Sequence, residues 1–174
     1  MPFCRSGAWA LLGFAKIRLM NTPHPDIVVV SPDGDYLIVV EVKTNDNLSH
    51  RQSAIDQLKR LMASTGCSVG LVVTGNHIFL LRDSLEKFHG ESIAVVSEAR
   101  LPDHLLPPAD EQWKGKYGLE FESRVQRWLE ELKQTPRLEN LPNDLAELLS
   151  EPILSLIRLG DIRSAGPRWS RVAS

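Results

Sequence analysis

The sequence predicts an α/β fold: a mixed central sheet flanked by helices, with a helical extension toward the C-terminus. Three observations carry that expectation. Two Val- and Ile-rich runs, at about 26–30 and 36–43, flank Asp33-Gly34, a strong short-range hairpin signal. An amphipathic helical pattern follows, and then two more apolar runs around Gly75-Asn76. Beyond residue 117 the apolar spacing becomes helical.

Each element has its own signals. Residues 8–20 read as an apolar helix with Lys16 and Arg18 near its end, where cations suit the dipole, and with Pro23 and Pro25 beyond it. The run at 36–43 is apolar on both faces until Glu41, so it is expected to be a central strand covered on both sides. The next helix spans about 49–64, with Asn47 or Ser49 as cap and Gly66 as stop. Ala54, Ile55, Leu58, Leu61 and Met62 form its apolar stripe, and Gln57 lies on one border of that stripe. Strands are expected at 69–74 and 77–82, with a short edge strand at 93–96.

Residues 101–117 read as a linker, closing a core over residues 1–100. Phe121, Val125, Trp128, Leu129 and Leu132 then mark one helix, and Leu145 through Leu159 mark shorter ones ending at Gly160. These stripes are expected to pack on the core or on a second copy, and the Leu and Ile content of 118–160 motivates a homodimer. Trp113, Tyr117 and Trp128 are assigned to the same packing. Residues 161–174, with Arg163, Arg168 and Arg171, read as a basic tail.

Composition narrows the function classes. The 174 residues suit one domain with a real core, and 43% hydrophobic with 24% charged content is ordinary for a globular protein. A net charge of −2 excludes a dominant phosphate-binding surface but leaves room for a local basic groove. Cys4 and Cys67 have no metal-ligand spacing, and a reducing cytoplasm is the expected compartment. The apolar stretch from Ala8 to Phe14 is too short to span a membrane, and Met20 is an alternative start. Signatures of Ser-His-Asp hydrolases, P-loop enzymes and zinc proteins are missing.

The polar residues Asp26, Glu41 and Lys43 stand at the open end of the first hairpin. With Asp33 and Gly34 central in the turn, Val28 faces Val39 and Asp26 faces Glu41. Alternation then puts Glu41 and Lys43 on the same face as Asp26. A turn centred on Pro32-Asp33, with Gly34 in a left-handed bulge, is the alternative. It would slip the register by one residue and separate the acids, unless a bulge restores the pairing.

Pro25-Asp26, a spacer, and Glu41-Val42-Lys43 on a hydrophobic strand resemble the signature of the PD-(D/E)XK nuclease superfamily. A second acid-x-Lys, Glu131-Leu132-Lys133, falls in a helical segment, so the context of the first instance is what distinguishes it. The resemblance covers roughly residues 8–82 and implies a restriction-endonuclease-like αβββαβ core. It further implies that Asp26, Glu41 and the Val42 carbonyl hold Mg²⁺ or Mn²⁺. Lys43 would orient or activate water, and Gln57 matches part of a Gln-x-x-x-Tyr pattern, with Leu61 in the aromatic position. Many members add an acid from the first helix, and residues 8–20 contain none. Asp46 is a candidate substitute, while Asp35 lies at the far, turn end of the hairpin. The implied function is metal-dependent hydrolysis of phosphodiester bonds in DNA. The alternative is a catalytically inactive nuclease-fold module that binds or acts structurally as a homodimer.

Overall fold

Asp26 and Glu41 meet because the first hairpin keeps its register through an irregular turn. In the computed structural model, which describes residues 24–87, 90–106, 118–134 and 141–165, β1 (Ile27–Val30) pairs antiparallel with β2 (Tyr36–Lys43). Val28 faces Val39 and Ile27 faces Val40, as the sequence predicts, but Val30 faces Tyr36 across a register shift. The turn is the alternative one. Gly34 N–H donates to Ser31 O at 3.0 Å, closing a turn centred on Pro32-Asp33, and Gly34 takes φ +95°. The irregularity beside Val30 absorbs the slipped residue, so the open end of the hairpin keeps its pairing.

Helix α1 (Leu48–Thr65) starts at Asn47, whose side chain accepts from His50 N–H, and stops at the left-handed Gly66. Its buried residues are the five of the sequence stripe, Ala54, Ile55, Leu58, Leu61 and Met62. It connects β2 to β3 (Val69–Thr74), which lies parallel to β2 with Lys43 opposite Thr74. β4 (His77–Asp83) and β5 (Ile93–Arg100) continue antiparallel. β5 extends four residues beyond the expected 93–96, through Ser97-Glu98-Ala99-Arg100. Those residues lack a strand-like apolar pattern because β5 is an edge strand with most of its side chains in water.

A short 3₁₀ turn, Asp103–Leu105, follows, and the rest of the expected linker, 107–117, lies outside the described residues. So do the helix expected at 8–20, Trp113 and Tyr117. Three helices succeed one another: α2 (Gly118–Gln134), α3 (Asn143–Leu148) and α4 (Glu151–Leu159). Residues 161–164, read from sequence as the start of a tail, form a strand, β6 (Asp161–Ser164), antiparallel to β1. Arg163 and Asp161 gave it a polar look, yet Ile162 is buried and the backbone completes the sheet edge. Among the described residues the strand order is β5-β4-β3-β2-β1-β6.

Alternation along the strands divides the core in two. Val28, Val39, Val72, Phe79 and Leu81 meet α1 on one face. Ile27, Val29, Ile38, Val40 and Val42 meet α2, α3 and α4 on the other, through Phe121, Val125, Trp128, Leu145, Ile153 and Ile157. The helical stripes that motivated a homodimer are thus buried within one chain, although Leu159, assigned to the same stripe, is exposed. Packing between α1 and β3 is close. A Cβ on Gly70 would sit 2.7 Å from Met62 Sδ and 2.8 Å from Leu58 Cδ2. Leu58 is fully buried at this contact. Leu58→Ala should cost about 2–5 kcal/mol, read as a lower urea midpoint with an unchanged slope.

Candidate active site

The site forms where β2 leaves its hydrophobic stretch. Asp26 N–H donates to Val40 O at 3.0 Å, extending the β1–β2 ladder by one residue beyond Ile27. By alternation Asp26 shares the α1 face with Val28 and Val30, and Glu41 and Lys43 share it with Val39. Gln57 enters from α1, next to the buried Leu58 and two positions after Ile55. The four side chains proposed from sequence, Asp26, Glu41, Lys43 and Gln57, therefore converge on one spot.

Glu41 has no exposed surface, because β2 is an interior strand covered by α1. Its Oε1 accepts from Gln57 Nε2 at 2.7 Å and from the Lys43 ammonium. Its Oε2 is buried without a hydrogen-bond partner among the described residues. A buried carboxylate oxygen with no donor is costly and calls for an explanation. Burial, and next the charge of Asp26, push the Glu41 pKa from 4.5 up to about 7, against the opposing pull of Lys43. Asp26 is mostly buried. Its Oδ2 accepts from Val42 N–H at 2.8 Å and lies 3.9 Å from Lys43 Nζ. A strand residue points its N–H and C=O toward the same neighbour, so the Val42 carbonyl also faces the β1 side, where Asp26 stands. The Lys43 side chain remains about one-third exposed, at 36%.

Glu122 adds a feature that the sequence reading missed. It is buried on α2, among residues read as a purely apolar stripe, and its Oε1 accepts from Ser164 Oγ at 3.1 Å. Its charge contributes to the rise of Glu41. The periodicity of α2 hid it, since a Glu beside Phe121 reads as a border position.

A second polar cluster lies beside the first. Asp46 Oδ1 accepts from Thr74 Oγ1 at 2.9 Å and from Arg51 Nη2 at 3.0 Å, while Oδ2 lies 2.6 Å from His77 Nδ1. Burial alone would raise Asp46, but the hydrogen bonds from His77, Thr74 and Arg51 outweigh it and hold the carboxyl below its usual range. Gly75, at φ +52°, closes the β3–β4 turn and permits this contact, since a Cβ there would meet Asp46 Cβ at 2.7 Å. Both Asp46 oxygens, those of the substitute acid considered from sequence, are engaged by these neighbours. Arg51 is half-buried with its guanidinium 5.0 Å from the Phe79 ring centre. His77 has no acidic neighbour in sequence. Its acid comes from 31 positions earlier, and only the strand order brings them together. His50 is an exposed helix-start histidine against Asn47.

Two carboxylates and an ammonium are thus assembled at the open end of the first hairpin. No group of three or more His, Cys, Asp or Glu side chains able to hold a metal occurs among the described residues. No helix among them is long and apolar enough to cross a membrane.

Comparison with known proteins adds one finding. No curated protein and no solved structure matches the chain. Residues 16–96 match the family model described as Type I restriction enzyme R protein N terminus (HSDR_N). That stretch holds β1 to β4 with α1 and the first half of β5, and so contains Asp26, Glu41, Lys43 and Gln57. Over this part the chain is similar to a subunit of restriction enzymes.

Proposed function

We propose that the chain is a metal-dependent nuclease of the PD-(D/E)XK type that hydrolyses phosphodiester bonds in DNA. The observation that carries this reading is Glu41: fully buried, one oxygen without a donor, beside Asp26 and Lys43. The similarity to a restriction-enzyme subunit supports DNA as the substrate.

The residues present fit a magnesium-like ion. Such an ion prefers oxygen ligands and binds through one or two carboxylates while keeping several waters, so a third acid is unnecessary. Asp26, Glu41 and the Val42 carbonyl would hold it. The ion supplies positive charge beside the scissile phosphate and makes nearby water more acidic. The chain's own groups do the remainder. Gln57 Nε2 fixes Glu41 through Oε1, leaving Oε2 for the ion. Val42 N–H fixes Asp26 through Oδ2. Lys43 orients the attacking water and offsets charge that develops on the phosphate oxygens.

A second reading has one observation in its favour: the Lys43 ammonium already sits against both carboxylates, as in an internal ion-pair network of a non-cleaving module. Incubation with supercoiled plasmid separates the two. The nuclease reading expects nicked or linear DNA with Mg²⁺ or Mn²⁺, and intact plasmid with EDTA or after Asp26→Asn. Intact plasmid with wild type in both metals would leave the non-cleaving module.

A further inference from the structure

Asp26 and Glu41 already hold a cation that belongs to this chain. The Lys43 ammonium contacts Glu41 Oε1 and lies 3.9 Å from Asp26 Oδ2. It is the last residue of β2, on a flexible four-carbon stem that remains partly in solvent. We propose that Lys43 is a resident counter-ion that competes with the divalent metal for the Asp26–Glu41 pair, so that metal loading releases the ammonium to act on the phosphate. The proposal rests on the metal reading above and goes beyond it by coupling metal occupancy to the position of Lys43.

Charge and geometry carry the inference. The two carboxylates bring two negative charges, which either one divalent ion or the ammonium with a remaining deficit can balance. Both cations together would leave an excess positive charge in a largely buried site. Gln57 and Val42 N–H hold the two carboxylates from outside this exchange, so the ligands remain in place when Lys43 leaves. Partial exposure gives the ammonium a route to water, where it is strongly hydrated. Lys43 would thereby keep the empty site neutral enough to fold and become available for catalysis only once the metal is bound.

Isothermal titration calorimetry with Mn²⁺ at pH 8.5, where protons compete little for the carboxylates, tests this in the absence of DNA. Lys43→Met and Lys43→Gln should each bind Mn²⁺ about tenfold or more tightly than wild type, the size expected from removing one adjacent charge. Lys43→Arg, which keeps a cation, should bind close to wild type. Circular dichroism would confirm that each variant is folded, and either neutral variant suffices. Equal or weaker binding in the folded neutral variants would overturn the inference and leave the metal reading standing. No binding in wild type or in either neutral variant would overturn both.

Discussion

Lys43→Met should reduce Mn²⁺-dependent DNA cleavage by about 10²-fold or more, while Mn²⁺ still raises the melting temperature. The two readouts separate because Lys43 acts on water and phosphate, whereas Asp26 and Glu41 act on the ion. In Asp26→Asn or Glu41→Gln both should fail together, since each variant removes ligand charge while nearly preserving shape. A Lys43→Met protein that cleaves at the wild-type rate would remove Lys43 from the mechanism. Loss of the metal response in Lys43→Met, as in the acid variants, would mark the cluster as structural.

Glu41→Gln should make the metal-free protein more stable at pH 8, by about 3 kcal/mol. Glu41 is fully buried, and its pKa is raised from 4.5 to about 7. A raised folded-state pKa means that the stabilising contribution is complete below the unfolded pKa of about 4.5 and is lost as pH rises through about 7. Wild type should therefore lose stability across that window, and Glu41→Gln should lose much less. Urea unfolding at several pH values with EDTA present measures the difference. Metal at a thousand times Kd should reverse the ranking at pH 8, because it stabilises wild type alone by about 4.1 kcal/mol. A less stable Glu41→Gln protein at pH 8 would instead show that the Lys43–Glu41 pair holds the fold together.

The parts of the fold that were legible in sequence are those governed by local rules. The stripe on α1 and its Asn47 and Gly66 caps follow from spacing and capping chemistry alone. Asp26 and Glu41 were legible as neighbours because a hairpin converts sequence distance into register, and the open-end register survives the Pro32-Asp33 turn. What was not legible depends on distant strands. β6 gains its place by pairing with β1, 131 positions upstream where Asp161 meets Val30, and its own residues carry little apolar signal. The Asp46–His77 contact requires the parallel crossover from β2 to β3 and the hairpin that follows. Glu122 was hidden for a related reason, since its partner Ser164 arrives only with β6.

The Asp46 cluster also shows how the site is supported. Thr74 lies opposite Lys43, Gly75 N–H donates to Lys43 O at 2.9 Å, and Asp46 ties Thr74 to Arg51 in the second turn of α1. The strand that presents Lys43 and the helix that presents Gln57 are thus fastened to each other beside the site.

The central claim is that Asp26 and Glu41 form a divalent-metal site. A crystal of the full chain soaked in Mn²⁺, with diffraction recorded for the anomalous signal of manganese, addresses it directly. The expected result is an anomalous peak within coordination distance of both carboxylates, with the Lys43 ammonium displaced from Glu41. A map without such a peak at saturating Mn²⁺, and with Lys43 still against both acids, would contradict it.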